Sequence, residues 1–351
     1  MGRITRADVA KRAGVSPTTV SLVLNGNADR VKIAALTQER VRQAARDLNY
    51  IPSASARMLR MQSTRTIGLL LGQLPTNPYV PVVQLQLITA IRQAQQRGYF
   101  VLPVTQPDPR TPGEGDQDPA VDPYRFVREL LSQVQLAGLI CETTSELTNL
   151  GASINSAGVP LVWMSLVDTP RRSDGRGHVR IHEHPGVRDI VTGLDLPATT
   201  PTLTVWGPQQ QASRLQPVSD YFGENCQQLV LPDWDSASSY QQVTRYLHGG
   251  VRPRLIWCAD DLLVPGVIRA CEEANLQIPS DVQVVGYGDQ NTDSSQTRTT
   301  TSAHWPVREL TARAVELLID TIEGGEGGGV PESTCELRTT AHWGDTTFRR
   351  R

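Results

Sequence analysis

From Arg65 onward, short apolar runs alternate with longer amphipathic stretches, and no other feature of the sequence limits the fold as much. Residues 67–71 (IGLLL) read as a buried strand, 80–97 as a helix and 100–105 as the next strand. Further runs at 139–141, 161–164, 203–205, 229–231, 255–258 and 282–285 continue the rhythm, with no sequence repeat. Strands separated by helices pair in parallel, because each crossover returns the chain to the same end of the sheet. The expected class is α/β and doubly wound, and about nine strands exceed one comfortable sheet, so two lobes are expected. Residues 107–123 (PDPRTPGEGDQDPAVDP) are too rich in Pro, Gly and Asp for a helix or strand and read as a surface insertion.

The first fifty residues are all helical in period. Thr5 can cap a first helix with Asp8 reaching back to it, and Val9, Ala10 and Ala13 form its apolar face. Gly14 stops that helix, Val15 fills the space behind it, and Ser16 caps a second helix with Pro17 at its first position. Val20, Val23 and Leu24 are expected to face inward, leaving Pro17, Thr18, Ser21, Leu22 and Asn25 outward. Small hydroxyl side chains on such a face suit phosphates and base edges, although a plain helical hairpin would carry them as well. Thr37 is expected to cap a third helix with Val41, Ala44, Ala45 and Leu48 inward and Arg40, Arg42 and Arg46 outward, along a phosphate backbone. After the extended breaker at 49–52, residues 53–65 are Ala-rich and basic, with Ala56 and Leu59 on one side. A helix of that length is marginal alone and is expected to fold only against DNA or a second copy.

Charge divides the chain at the same place. Residues 1–65 carry twelve Lys or Arg against four Asp or Glu, whereas the rest carries 22 against 32. A basic head on an acidic body is the footprint of a DNA-binding module joined to something else. The five cysteines are scattered without metal spacing, and the chain lacks both a membrane-length apolar run and a signal peptide's apolar region, so a cytoplasmic protein is expected. His178, His182 and His184 have no Cys or carboxylate at ligand spacing, so neither metal nor cofactor is expected. GxSxG, HExxH, P-loop and GxGxxG motifs are absent in context, which argues against an enzyme.

The residues Asp8 to Ala10, Ala13 to Ser16, Thr19 to Ser21, Asn25 and Leu48 to Pro52 together resemble the signature of the lactose-repressor (LacI) family of bacterial transcription regulators. The resemblance implies a helix-turn-helix headpiece over 1–50, a hinge helix over 51–64 and a two-lobed body over 65–351 similar to periplasmic sugar-binding proteins. Its N-lobe would span about 65–178 and 296–325, and its C-lobe about 179–295 and 326–351. The second helix would enter the major groove, while two hinge helices pair in the minor groove with Leu59 as a wedge and Ala56 at their contact. The implied DNA contacts are Thr5, Ser16, Pro17, Thr18, Thr19, Ser21, Leu22, Asn25, Tyr50, Ser53, Ala56 and Leu59. Pro17 and Leu22 stand at base-reading positions with no side-chain donor, and the loop after Asn25 is longer than in the lactose repressor, which leaves the operator open.

For the body, the resemblance places a small-molecule effector between the lobes, contacted by Tyr79, Arg214, Trp234, Asp260 and Asp289. Asp260 would accept from ligand hydroxyls and Asp261 would cap the next helix. Pro217 stands where the family usually has Gly, which puts the helix start after Arg214 in question. Gly288, Ser165 and Pro185 replace polar or acidic groups, so the effector is expected to be a sugar of low hydroxyl density or an anionic metabolite. The expected function is a dimeric operator-binding repressor. The alternatives are a regulator whose ligand is a corepressor, and a sugar-binding protein without regulation. The C-terminal end shows no leucine heptads, so a dimer is the default.

Overall fold

The computed structural model describes residues 4–24, 26, 28–50, 64–72, 81–105, 123–143, 151, 154, 158–170, 172, 174–175, 177–208, 213–288, 298–324 and 333–350. The chain divides into two compact units at residue 64. In the first, α1 (Arg6–Ala13), α2 (Pro17–Leu24) and α3 (Ala35–Asp47) enclose a core of Val9, Ala10, Ala13, Val20, Val23, Ala28, Val41, Ala44 and Ala45. The Thr5–Asp8 capping box forms, with the Thr5 N–H donating to Asp8 Oδ2 at 2.8 Å, and Gly14 ends α1 at φ 62°. That φ is one an L side chain reaches only with strain.

Two details of the headpiece differ from expectation. Helix α3 starts at Ala35, so Thr37 lies within its first turn and Ala34 precedes it without a side-chain cap. Ser21 is buried rather than outward, at 8 % exposure. At roughly 100° per residue it falls about 60° from Leu24, inside the stripe that the apolar residues define. The long loop after α2 is tied down by Gln38, a buried amide whose Nε2 donates to Asp29 Oδ1 (2.9 Å) and to the Ile33 carbonyl (3.0 Å).

The second unit contains two six-stranded sheets. The first runs β11-β5-β4-β3-β1-β2, from Ser333–Arg338, Gly177–His182, Leu161–Ser165, Gly138–Glu142, Thr66–Leu71 and Phe100–Thr105, with every neighbour parallel. The second runs β12-β10-β9-β8-β6-β7, from Thr340–His342, Thr301–His304, Gln283–Gly288, Leu255–Cys258, Thr202–Trp206 and Cys226–Val230. Only β12 is antiparallel to its neighbour. The β1, β3 and β4 runs and their β6, β8 and β9 counterparts are buried almost throughout, as parallel strands covered on both faces must be. No helix among the described residues is long and apolar enough to cross a membrane.

The chain passes between the sheets three times, at Glu183, at Trp305 and at Thr339. The expected lobe limits are therefore corrected. Residue 178 lies inside β5, β10 belongs to the second sheet, and β11 belongs to the first. Both misplaced strands lack an apolar run. β10 (TSAH) buries Thr301 and Ser302 by giving them partners: the Thr301 N–H donates to Thr346 Oγ1 at 2.9 Å and Ser302 Oγ to Asp261 Oδ1 at 3.0 Å. β7 begins three residues before the run at 229, and residues 106–122, which hold nearly all of the Pro-rich insertion, lie outside the described residues.

Candidate DNA-reading face and ligand cleft

Helix α2 begins as its sequence requires. Ser16 Oγ accepts the Thr19 N–H at 3.1 Å and bonds the Thr19 hydroxyl at 2.9 Å. Ser16, Pro17 and Thr18 are exposed, with Thr19 and Leu22 half-buried beside them. Thr5 is exposed but its hydroxyl donates to Asp8 Oδ2 at 2.6 Å, and this bond holds the Asp8 carboxyl below its ordinary range. Tyr50 is half-buried against the headpiece core, its N–H closing the end of α3 on the Ala45 carbonyl at 2.9 Å. Arg40, Arg42 and Arg46 are exposed, and Glu39 pairs with Arg46 at 2.6 Å and Arg42 at 3.8 Å. Exposed pairs of that kind are worth little and exchange readily for phosphates. Asn25, Ser53, Ala56 and Leu59 lie outside the described residues.

At the strand ends of the second sheet, Arg214 is buried and already committed. Its Nε donates to Glu183 Oε1 at 3.1 Å and its Nη1 to the Ala259 carbonyl at 2.9 Å, with Asp260 Oδ2 at 3.9 Å. The guanidinium lies 4.2 Å from the ring centre of Tyr287 and 4.6 Å from that of Trp305. Glu183, fully buried at the first crossover, also accepts the Asp168 N–H and the Ser213 hydroxyl, each at 3.1 Å, on Oε2. One carboxylate thus bonds the loop after β4 and the loop after β6 together. Trp305 Nε1 adds a second link by donating to the Leu166 carbonyl at 2.9 Å. Burial keeps the Tyr287 phenol protonated, so its hydroxyl is a donor facing Glu183.

Asp260 takes the capping role expected of Asp261. Asp260 caps the short 3-10 turn Asp261–Leu263 by accepting the Leu262 N–H at 3.0 Å, and burial raises its carboxyl against the pull of Arg214. Asp261 is tied to Ser302 and pressed against Gly286, where a Cβ would strike its carboxylate. The turn starts one residue earlier than an α-helix would, which moves the cap from the second Asp to the first. Trp234 is half-buried, donates Nε1 to the Pro208 carbonyl at 3.1 Å and lies flat on Gly207, where any Cβ would run into the indole. Pro217 sits in the first turn of the helix Gln216–Phe222, which it starts without disruption. Tyr79 and Asp289 lie outside the described residues.

The strand ends of the first sheet hold groups that sequence reasoning missed. Glu142, the last residue of β3, accepts the Gly72 N–H at 3.1 Å, and burial raises its carboxyl. Ser165, fully buried at the end of β4, meets Thr143 Oγ1 (2.7 Å), Thr169 Oγ1 (2.8 Å) and His178 Nε2 (2.6 Å). The Arg172 N–H donates to His178 Nδ1 at 3.0 Å, so the ring proton is on Nε2 and points at Ser165. The imidazole is a donor here, and this Ser–His contact cannot activate the hydroxyl as a nucleophile. His182 lies between Asp168 and Glu336 at 3.1 Å each, and His184 donates to the Ser213 carbonyl at 2.6 Å, so the three histidines serve three separate places.

A family model described as bacterial regulatory proteins, lacI family, matches residues 5–53, and one described as a periplasmic binding protein-like domain matches 209–347. The ribose operon repressor of Escherichia coli (strain K12) is 29 % identical over 342 residues, covering 91 % of this chain and 93 % of that protein. The HTH-type transcriptional repressor PurR of Pectobacterium atrosepticum is 28 % identical over 342 residues, covering 91 % and 90 %. The chain belongs to the lacI family of bacterial regulatory proteins. Its fold is similar to that of the Lac repressor dimer bound to operator and the anti-inducer ONPF, with a TM-score of 0.76 at 23 % identity and 99 % coverage of both chains. As a lacI-family member it is a DNA-binding transcription regulator, and its departures from the family pattern have local causes. Gly288 ends β9 at φ 126°, a backbone that an aspartate would adopt only under strain. Ser165 serves its neighbours, and Pro185 starts the helix His184–Gly193.

Proposed function

We propose that this chain is a transcriptional repressor that binds a near-palindromic operator as a homodimer and responds to a neutral, hydroxylated effector at the strand ends of its body. It would act in the cytoplasm without catalysing a reaction. The observation that carries the reading is the pairing, in one chain, of a capped helix-turn-helix with a body whose two sheets end in buried polar groups. Ligands of open α/β sheets bind at such strand ends. The carboxyl groups at these strand ends favour a neutral ligand over an anion. Arg214 is matched by Glu183 and lies near Asp260, while Glu142 adds another carboxyl on the opposite sheet.

The mechanism is a population shift, in which a ligand that prefers one lobe closure biases hinge pairing by its difference in affinity. Pro17 and Leu22 give few hydrogen bonds to bases, so DNA shape and the Leu59 wedge would carry much of the specificity. Titrating sugars into a complex with operator DNA tests the account, with D-ribose first because of the similarity to the ribose operon repressor. Release marks an inducer and tightening a corepressor; tight binding of anionic metabolites alone would contradict the neutral effector. Leu59→Ala is expected to weaken operator binding while leaving the circular dichroism unchanged, and equal gel-shift affinity would rule out the wedge.

A further inference from the structure

We propose that the Thr143 hydroxyl is a fixed outward donor that selects a hydrogen-bond acceptor on the effector, an inference that rests on reading the body as a ligand-binding module. The direction follows from proton bookkeeping along one chain of contacts. The Arg172 N–H occupies His178 Nδ1, which puts the ring proton on Nε2, aimed at Ser165 Oγ 2.6 Å away. Thr169 donates to the same oxygen at 2.8 Å. A hydroxyl oxygen has two lone pairs and one proton, so both Ser165 lone pairs are then filled. Its proton goes to the remaining neighbour, Thr143 Oγ1, at 2.7 Å.

Thr143 therefore accepts from Ser165 and must direct its own proton elsewhere. Among the described residues that proton has no acceptor. Thr143 follows Glu142 directly after the C-terminal end of β3, where an open parallel sheet presents its ligand, and it is only half-buried. The relay fixes the polarity of the position. A ligand presenting an ether, carbonyl or hydroxyl oxygen is favoured at Thr143, because it takes the one proton that the relay leaves over.

The test combines a spectrum with a binding series on the full-length protein. Two-bond proton–nitrogen correlation of histidine-labelled protein is expected to show His178 neutral and protonated on Nε2. A ring protonated on Nδ1, or on both nitrogens at neutral pH, overturns the relay. Calorimetry with D-ribose, lactose and cellobiose then compares Thr143→Val and Thr143→Ser with the parent. For a sugar that binds, Val is expected to weaken affinity about tenfold and Ser to restore it to within about twofold. Equal affinity of the Val variant overturns the proposal while leaving the ligand-binding reading intact. If none of the three sugars binds although the His178 spectrum is as expected, the neutral-effector reading fails and the proposal fails with it.

Discussion

Arg214 and Thr143 stand at the strand ends of opposite sheets, and they differ in what is left over once their neighbours are satisfied. Arg214 brings the larger charge, yet its Nε and Nη1 are spent on Glu183 and the Ala259 carbonyl and its faces on Tyr287 and Trp305. Thr143 brings one hydroxyl, and its neighbours orient that hydroxyl without consuming its proton. A buried charge must be paired where it lies, because leaving it unpaired is far more unfavourable than any ligand contact it could offer. A hydroxyl has no such requirement. Of the two, the guanidinium is the pillar that ties the crossovers together, and the hydroxyl is the group suited to recognition.

The comparison breaks most readily at Glu183. Glu183→Ala leaves Arg214 buried without its carboxylate and is expected to destabilise the protein by about 3–5 kcal/mol in denaturant unfolding followed by tryptophan fluorescence. Replacing both residues by Met should lose much less than the two single changes combined; simple additivity would show that they do not act as a pair. Gly207→Ala pushes a methyl into the Trp234 ring and is expected to lose about 1–3 kcal/mol, with a shifted tryptophan emission; an unshifted emission would mean the indole does not rest there. On the other sheet, Ser165→Ala leaves the His178 Nε2–H without its acceptor, a loss of about 1–3 kcal/mol by the same unfolding measurement.

The smallest effect lies at the exposed edge of the crossover network. Hydrogen bonds from Arg180 and then His182 hold the Glu336 carboxyl down at about 2, against 4.5 for the free group. A depressed folded value means the stabilisation is present above about pH 4.5 and is lost as the pH falls through about 2. Glu336→Gln should therefore flatten the stability profile only across that acid window. A change at neutral pH that exceeds the acid change would contradict the assignment.

The headpiece was legible because each of its turns has a local chemical cause. Thr5, Gly14, Ser16 and Pro17 each do by hydrogen bond or dihedral what their positions required. Ser21 was not legible, since its burial depends on where the apolar stripe ends rather than on its own polarity. In the body, apolar runs marked the central strands, while β5, β10 and β11 went unmarked because they carry polar side chains whose partners lie more than a hundred residues away in some cases, as Arg180 does with Glu336. Glu183 and His178 were hidden for the same reason. Their roles are set by Arg214, Asp168, Arg172 and Ser165, which come together only through the fold.

The central claim, that this chain is an operator-binding regulator, is tested most directly by selecting genomic fragments on the full-length protein and sequencing what is retained. The account predicts a recovered near-palindrome whose half-sites match two α2 helices, with a central step that tolerates few substitutions. Retention no greater than that of unrelated duplex at the same salt concentration would contradict it.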